Sequence, residues 1–433
     1  TLNLNGGTFN APAGAPFGNA GTVNLTAQAL VLDGGDGGLG GGAYNIGAGA
    51  GLDLAAGSYG IGSLTGGGVF GISGGTANLN NASFTGTGVL GGGSLNIFGA
   101  ASFATLAQTG GVLTGSGGDL AVASYQLNNP SGTGTIGGAF NNLSLTSPGD
   151  LTIRNSNLSA AGNLALDTTT GRLWIDGSSV SGGNVSLGGA WLLLSSSGTA
   201  ASQVNANGNL SVNTALLELN GATGAAKLGA LGTMTINATT VDVLAGAASA
   251  SIDPTTLTLI ATGNLTLAGG SAANASATLL GGAVDVSAGN VSLTGGSGAN
   301  AYAGISATSG NLTLNAGGNL SLASAAGTAP AGAVLTAAGS VQVAALTCAG
   351  CIELASDPLL SPTVTDVGAW GGSGVNFAVR TPTASDPSVA QAIVMAASNG
   401  TGTSNVSNEP QGSDTNGGDD ASDNRNKKLP TCK

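Results

Sequence analysis

The chain has 433 residues, of which 41% are hydrophobic and only 6% charged, with 80 glycines and a net charge of −12. So much aliphatic character excludes a disordered polar chain, the lack of a three-residue glycine period excludes collagen, and so few cations exclude the basic stripes that hold nucleic-acid phosphates or an anionic membrane surface. No histidine occurs, which excludes Ser-His-Asp and Cys-His nucleophiles, histidine zinc sites and haem attachment.

The chain opens in strand at Thr1-Leu2-Asn3-Leu4 without a signal peptide, the pattern expected of a processed form or a fragment. Residues 1–145 are glycine-dense and irregular. Short alternating strands nevertheless recur, at Val23-Asn24-Leu25, Leu30-Val31-Leu32, Leu52-Asp53-Leu54, Leu95-Asn96-Ile97 and Leu120-Ala121-Val122. Gly34-Gly35-Asp36-Gly37-Gly38 is a glycine-rich turn, since its Asp is misplaced for the repeated calcium-binding nonapeptide.

Residues 146–355 repeat one phrase, Gly-Asn-Leu-Xaa-Leu. It begins at Gly162, Gly183, Gly208, Gly263, Gly289, Gly310 and Gly318, with looser copies at Gly232 and Gly339. With Gly318 set aside, the starts form one series whose shortest steps include Gly162 to Gly183 and whose longest is Gly232 to Gly263. An internal period of this length signals stacked repeats. Leu and Val alternating with Ser or Thr is the period-two pattern of a half-buried strand, with aliphatics inside and hydroxyls outside. Gly-Asn before the strand predicts a corner, because both residues tolerate positive φ. Such a coil cannot bury its own apolar face and must lie on the next, with Leu and Val in columns and corner asparagines in ladders. The predicted fold is therefore all-β, a right-handed parallel β-helix or β-solenoid, the hand following from the general rule for parallel connections. About 390 residues at about 22 per coil give roughly 17–18 coils, a rod about 80–90 Å long. No helix-length apolar run is free of glycine and polar residues, so no transmembrane segment or membrane insertion is predicted.

The one mixed-charge neighbourhood of the repeats is Asp150, Arg154, Asp167, Arg172 and Asp176. Parallel β-helices that cleave acidic polysaccharides need clustered carboxylates with a nearby cation. The plainer reading is surface ion pairs of little energy. Trp174 and Trp191 stand nearly one coil apart, on the core or the outside of neighbouring coils; a row of outward aromatics would mark a glycan-binding face. Cys348 and Cys351 predict a local disulfide near the end of the repeats and hence an oxidising compartment, with Cys432 left over: free, paired with Cys348 or Cys351 in place of that bond, or tethering the tail to a partner. No catalytic, metal or cofactor site is predicted. Asn-Xaa-Ser/Thr sequons recur because the phrase itself creates them.

Residues 356–398 change character with four prolines and a strand around Val375–Val379. Asp386-Pro387 predicts a helix start, followed by Val389, Ile393 and Ala396-Ala397 at helical spacing, as a cap on the last coil. Residues 399–433 are a polar, acidic tail.

The repeated phrase resembles the filamentous-haemagglutinin family, large secreted β-solenoids exported by bacterial two-partner secretion. So do the Gly-Thr-Gly-rich stretch Phe84–Phe98 and the ending Asn426-Lys-Lys-Leu-Pro-Thr-Cys-Lys433. The family's N-terminal secretion domain, with its Asn-Pro-Asn turn, has no copy here. The resemblance implies a non-catalytic structural or adhesive protein at the bacterial surface or outside the cell. Its expected partners are host or matrix glycans and proteins and, by head-to-tail assembly, other copies of itself.

Overall fold

The alternation of aliphatic and polar residues decides the architecture. In a computed structural model of the chain, the residues described are 1–5, 9–10, 14–127, 135–323, 332–339, 341–349, 361–363, 374–381 and 394–398. Among them every regular element is a strand, and through residue 349 the strands pair in parallel with those of neighbouring coils. The fold is a parallel β-solenoid. The chain divides into two compact units, Thr1–Ala215 and Leu216–Lys433.

In the first unit one column runs in register through Leu2, Val23, Tyr44, Leu64, Ala82, Ala101, Leu120, Leu143, Leu164 and Val185. The shortest step is Leu64 to Ala82 and the longest Leu120 to Leu143, so the register continues through the glycine-dense stretch. Further columns line other faces of the same coils, such as Leu30, Leu52 and Phe70, or Ala77, Leu95, Leu113 and Ile136. From Val23 onward the members of these columns are buried or nearly so. Aliphatic burial at about 25 cal/mol per Å² is the driving term, and each coil obtains it only from its neighbours.

The second unit repeats a coil of three faces. Its columns are Leu228, Ile252, Leu279, Ile305 and Leu335; Met234, Leu257, Val284, Leu312 and Val341; and Val241, Leu265, Val291, Leu320 and Cys348. Along the second of these columns every step, from Met234–Leu257 to Leu312–Val341, is longer than the coil estimated from the sequence. The pairings also correct the repeat series. Phrases at Gly263, Gly289 and Gly318 open the Val241 column, whereas those at Gly232, Gly310 and Gly339 open the Met234 column. One pentapeptide thus serves two corners of a coil, and the long gap from Gly232 to Gly263 mixes them.

The role of Gly-Asn also differs from the expected one. Among the described residues no phrase residue has positive φ, and the left-handed asparagines are Asn155, Asn274 and Asn300. Glycine is required by close approach instead. A Cβ at Gly183 would meet the carbonyl oxygen of Gly162 at 2.6 Å, and one at Gly208 or Gly318 would meet the Oδ1 of Asn184 or Asn290 at 2.6 Å. The asparagine ladders form as expected. The Asn163 backbone N–H donates to Asn142 Oδ1 (2.8 Å), Asn184 Nδ2 to Asn163 Oδ1 (3.2 Å) and the Asn209 N–H to Asn184 Oδ1 (3.0 Å). In the second unit Asn290 Nδ2 donates to Asn264 Oδ1 (3.0 Å), and the Asn319 N–H to Asn290 Oδ1 (2.9 Å). The first ladder ends on a carboxylate, because Asp119 Oδ1 accepts from both the backbone N–H and Nδ2 of Asn142, each at 2.9 Å.

Near the C-terminus, Ser361–Thr363, Gly374–Thr381 and Val394–Ser398 form antiparallel pairs. The predicted strand around Val375–Val379 is present. The predicted helix is corrected in its last turn, where Ala396 and Ala397 pair with Asn376 and Val375 in a strand. The β-branched Val394 and the partner strand Gly374–Thr381 favour extension there over isolated helix propensity. Asp386 to Ile393 and the acidic tail lie outside the described residues.

Two measurements check this account. Gly183→Ala should lower the midpoint of chemical unfolding by the equivalent of about 1–3 kcal/mol, the usual result of forcing atoms into a filled site. At Gly198, where a Cβ meets nothing within 4 Å, the same change should be neutral or stabilise by up to about 1 kcal/mol. Asp119 is held below the ordinary carboxylate range, first by the Asn142 side chain and then by Asn141. A depressed carboxylate contributes stability above its unfolded pKa and loses it as pH falls through the folded one. Carbon-13 titration should therefore find Asp119 below ordinary aspartates, and Asn142→Ala should move it back up.

Candidate functional site

One patch of the first unit departs from the pattern of small hydroxyl and amide side chains. It is built on Leu151–Arg154, Arg172–Asp176 and the end of Ser179–Ser195, three strands in register. Leu151, Ile153, Leu173, Ile175, Leu192 and Leu194 point inward and are fully buried. The alternate positions, Thr152, Arg154, Arg172, Trp174 and Trp191, therefore face outward. The sequence did not decide the side of the two tryptophans; the register places both on the outer face, half-buried.

There the cations and rings stack. The guanidinium of Arg154 lies 5.0 Å from the centroid of Trp174, and that of Arg172 lies 4.9 Å from Trp174 and 5.2 Å from Trp191. Contacts of this kind contribute about 0.5–2 kcal/mol each. Trp174 Nε1 donates to Ser195 Oγ at 2.9 Å. Leu193, in register with Trp174, stands at an outward position and is only 8% exposed.

Of the five charged residues singled out in the sequence, four gather on this face and take separate duties. Asp176 is 1% exposed although its position alternates outward. Its carboxylate accepts from Arg154 Nε (2.7 Å), the Ser197 N–H (2.7 Å) and Ser197 Oγ (3.0 Å). Asp150 accepts from the backbone N–H of Arg172 at 2.8 Å. Asp167 belongs to another strand, Asn157–Thr168, in register with Thr146 and Gly188. The three carboxylates do not converge on one groove.

The remaining candidates stay with the scaffold. Asp36 Oδ1 accepts from the Gly38 N–H and Oδ2 from the Gly60 N–H, so this turn is tied to the next coil. Cys348 occupies the register position after Leu320, and Cys351 lies outside the described residues. A shallow groove of about 320 Å³ lies along Ala101, Asp119, Ala121, Asn142, Ser144 and Asn163, where the outward side chains are small. Asp119 was missed as the end of a ladder. The signal was Gly118-Asp119-Leu120-Ala121-Val122, a copy of the phrase with Asp in the Asn slot.

Removing the buried carboxylate leaves Arg154 without a counter-ion and the Ser197 N–H without an acceptor. Asp176→Ala should cost about 1–3 kcal/mol, read as a lower unfolding midpoint together with a tryptophan emission change, because Arg154 is released from its place over Trp174.

No family model, curated protein or solved structure matches the chain.

Proposed function

We propose that this chain is a non-catalytic structural and adhesive β-solenoid, working outside the cell or at a bacterial surface, of the filamentous-haemagglutinin type. The observation that carries the reading is the unbroken register of the coils, Leu2 to Val185 in the first unit and Met234 to Val341 in the second. Such a scaffold presents one repeated polar surface, with ligand-sized features only where the repeat is broken. The fold is compatible with an adhesin or structural β-helix, and the resemblance of the repeated phrase supplies the finer reading.

Within this class the preferred arrangement is head-to-tail assembly. A stack of parallel coils has unpaired strand edges at its ends unless something covers them, and an open edge is a template for the next chain. The polysaccharide-cleaving alternative is disfavoured by the placement of its five residues, with Asp176 buried and Asp167 on a separate strand.

Negative-stain electron microscopy of the undenatured protein, paired with light scattering across micromolar concentrations, tests the proposal. Uniform fibres that lengthen with concentration are expected. A single monomeric species at every concentration would overturn head-to-tail assembly.

A further inference from the structure

We infer that Arg172, clamped between Trp174 and Trp191, is a recognition site for a carboxylate-bearing sugar residue. This rests on the adhesive reading and names a ligand class for it. Three cationic side chains are described, and two have counter-ions: Arg154 pairs with Asp176 at 2.7 Å and Lys227 with Asp253 at 2.8 Å. Arg172 has none among the described residues, in a chain of net charge −12. The nearest use of a carboxylate is by its backbone, whose N–H is taken by Asp150. Its Nε is buried without a hydrogen-bond partner, and so is Nε1 of Trp191.

The arrangement is that of a preorganised anion receptor. Two indoles fix the plane of the guanidinium, so little side-chain freedom remains to be lost on binding. A planar guanidinium matches a carboxylate through paired charge-assisted hydrogen bonds. The ligand class follows from the surroundings. Trp191 has a guanidinium on one side only among the described residues, and indole is the surface on which the apolar C–H face of a pyranose packs. Thr152 and Ser195, in register with Trp174 and Asp176, offer hydroxyls at the edge of the patch. The rest of the unit is acidic and its cations few, which favours short recognition of a single uronate-type residue over broad contact with a polyanion.

The test uses the full chain, a galacturonate trisaccharide and, as the neutral match, a galactose trisaccharide of the same linkage, read by tryptophan fluorescence and calorimetry at physiological salt. Saturable binding of the uronate, no binding of the neutral sugar, and at least about tenfold weaker binding by Arg172→Gln are expected. Arg154→Gln should weaken it less, because that arginine is already engaged by Asp176. Absence of saturable uronate binding overturns the inference. Equal binding of the neutral sugar, or an equal response to acetate at the same concentration, overturns the assignment of the carboxylate sugar. Circular dichroism of each variant, with Trp191→Phe as a second probe, separates loss of the site from loss of the fold. Fibres in the microscope without uronate binding would sink this inference alone and leave the structural reading standing.

Discussion

Everything in this protein depends on coils lying on one another at the spacing of a β-sheet, about 4.8 Å. No coil has a core of its own. The aliphatic residues of one are covered only when those of the next stand in register, so a slip of one residue would turn Leu and Val outward and Ser and Thr inward. The same spacing governs the corners. Where the chain turns from one face to the next, the preceding coil's carbonyls and asparagine amides come so close that no Cβ fits, as at Gly183 and Gly208. Glycine is selected there by the neighbour above or below, and its freedom in φ is not used.

Asparagine completes the same constraint. A corner exposes backbone N–H groups that the strand ladder does not reach, and an unpaired one costs free energy if shielded from water. The amide of Asn184 meets this need for two coils at once, donating to Asn163 and accepting from the backbone of Asn209. A group that donates and accepts can be repeated along a stack. One that only accepts can stand only at its end, and Asp119 does so. This is why Asn recurs at this corner coil after coil, with Asp where the ladder starts.

The fold was legible because alternation with a period of two and the return of one phrase about once per coil are both properties of the string itself. The number of corners was not. The identical pentapeptide opens the Met234 and the Val241 columns, and only strand pairing separates Gly310 from Gly318. The side of Trp191 was hidden for a related reason. It is followed by Leu192, Leu193 and Leu194, three apolar residues in a row, so alternation gave no phase. Asp176 alternates outward in sequence, and its burial depends on Ser197, one coil further along the chain. The last turn of the predicted helix failed because Val394–Ser398 has a strand partner in Gly374–Thr381, and a tertiary partner overrides a local cap signal.

In a repeating scaffold, information resides where the repeat is broken. A Ser, Thr or Asn at an outward position meets the needs of the stack, and replacing it by a large residue gains no core. The face carrying Thr152, Arg154, Arg172, Trp174 and Trp191 departs from that economy in adjacent coils. Part of the departure is structural, since Asp176 fixes Arg154 and Trp174 stands in register beside the nearly buried Leu193. Arg172 is not explained by that role. A Met or Leu would fill the space between two indoles without desolvating a charge, and burial of an unpaired guanidinium nitrogen opposes folding. Stacking on two rings offsets part of that cost. A counter-ion from outside the chain would offset the remainder, which gives the cation a reason to stand where it does.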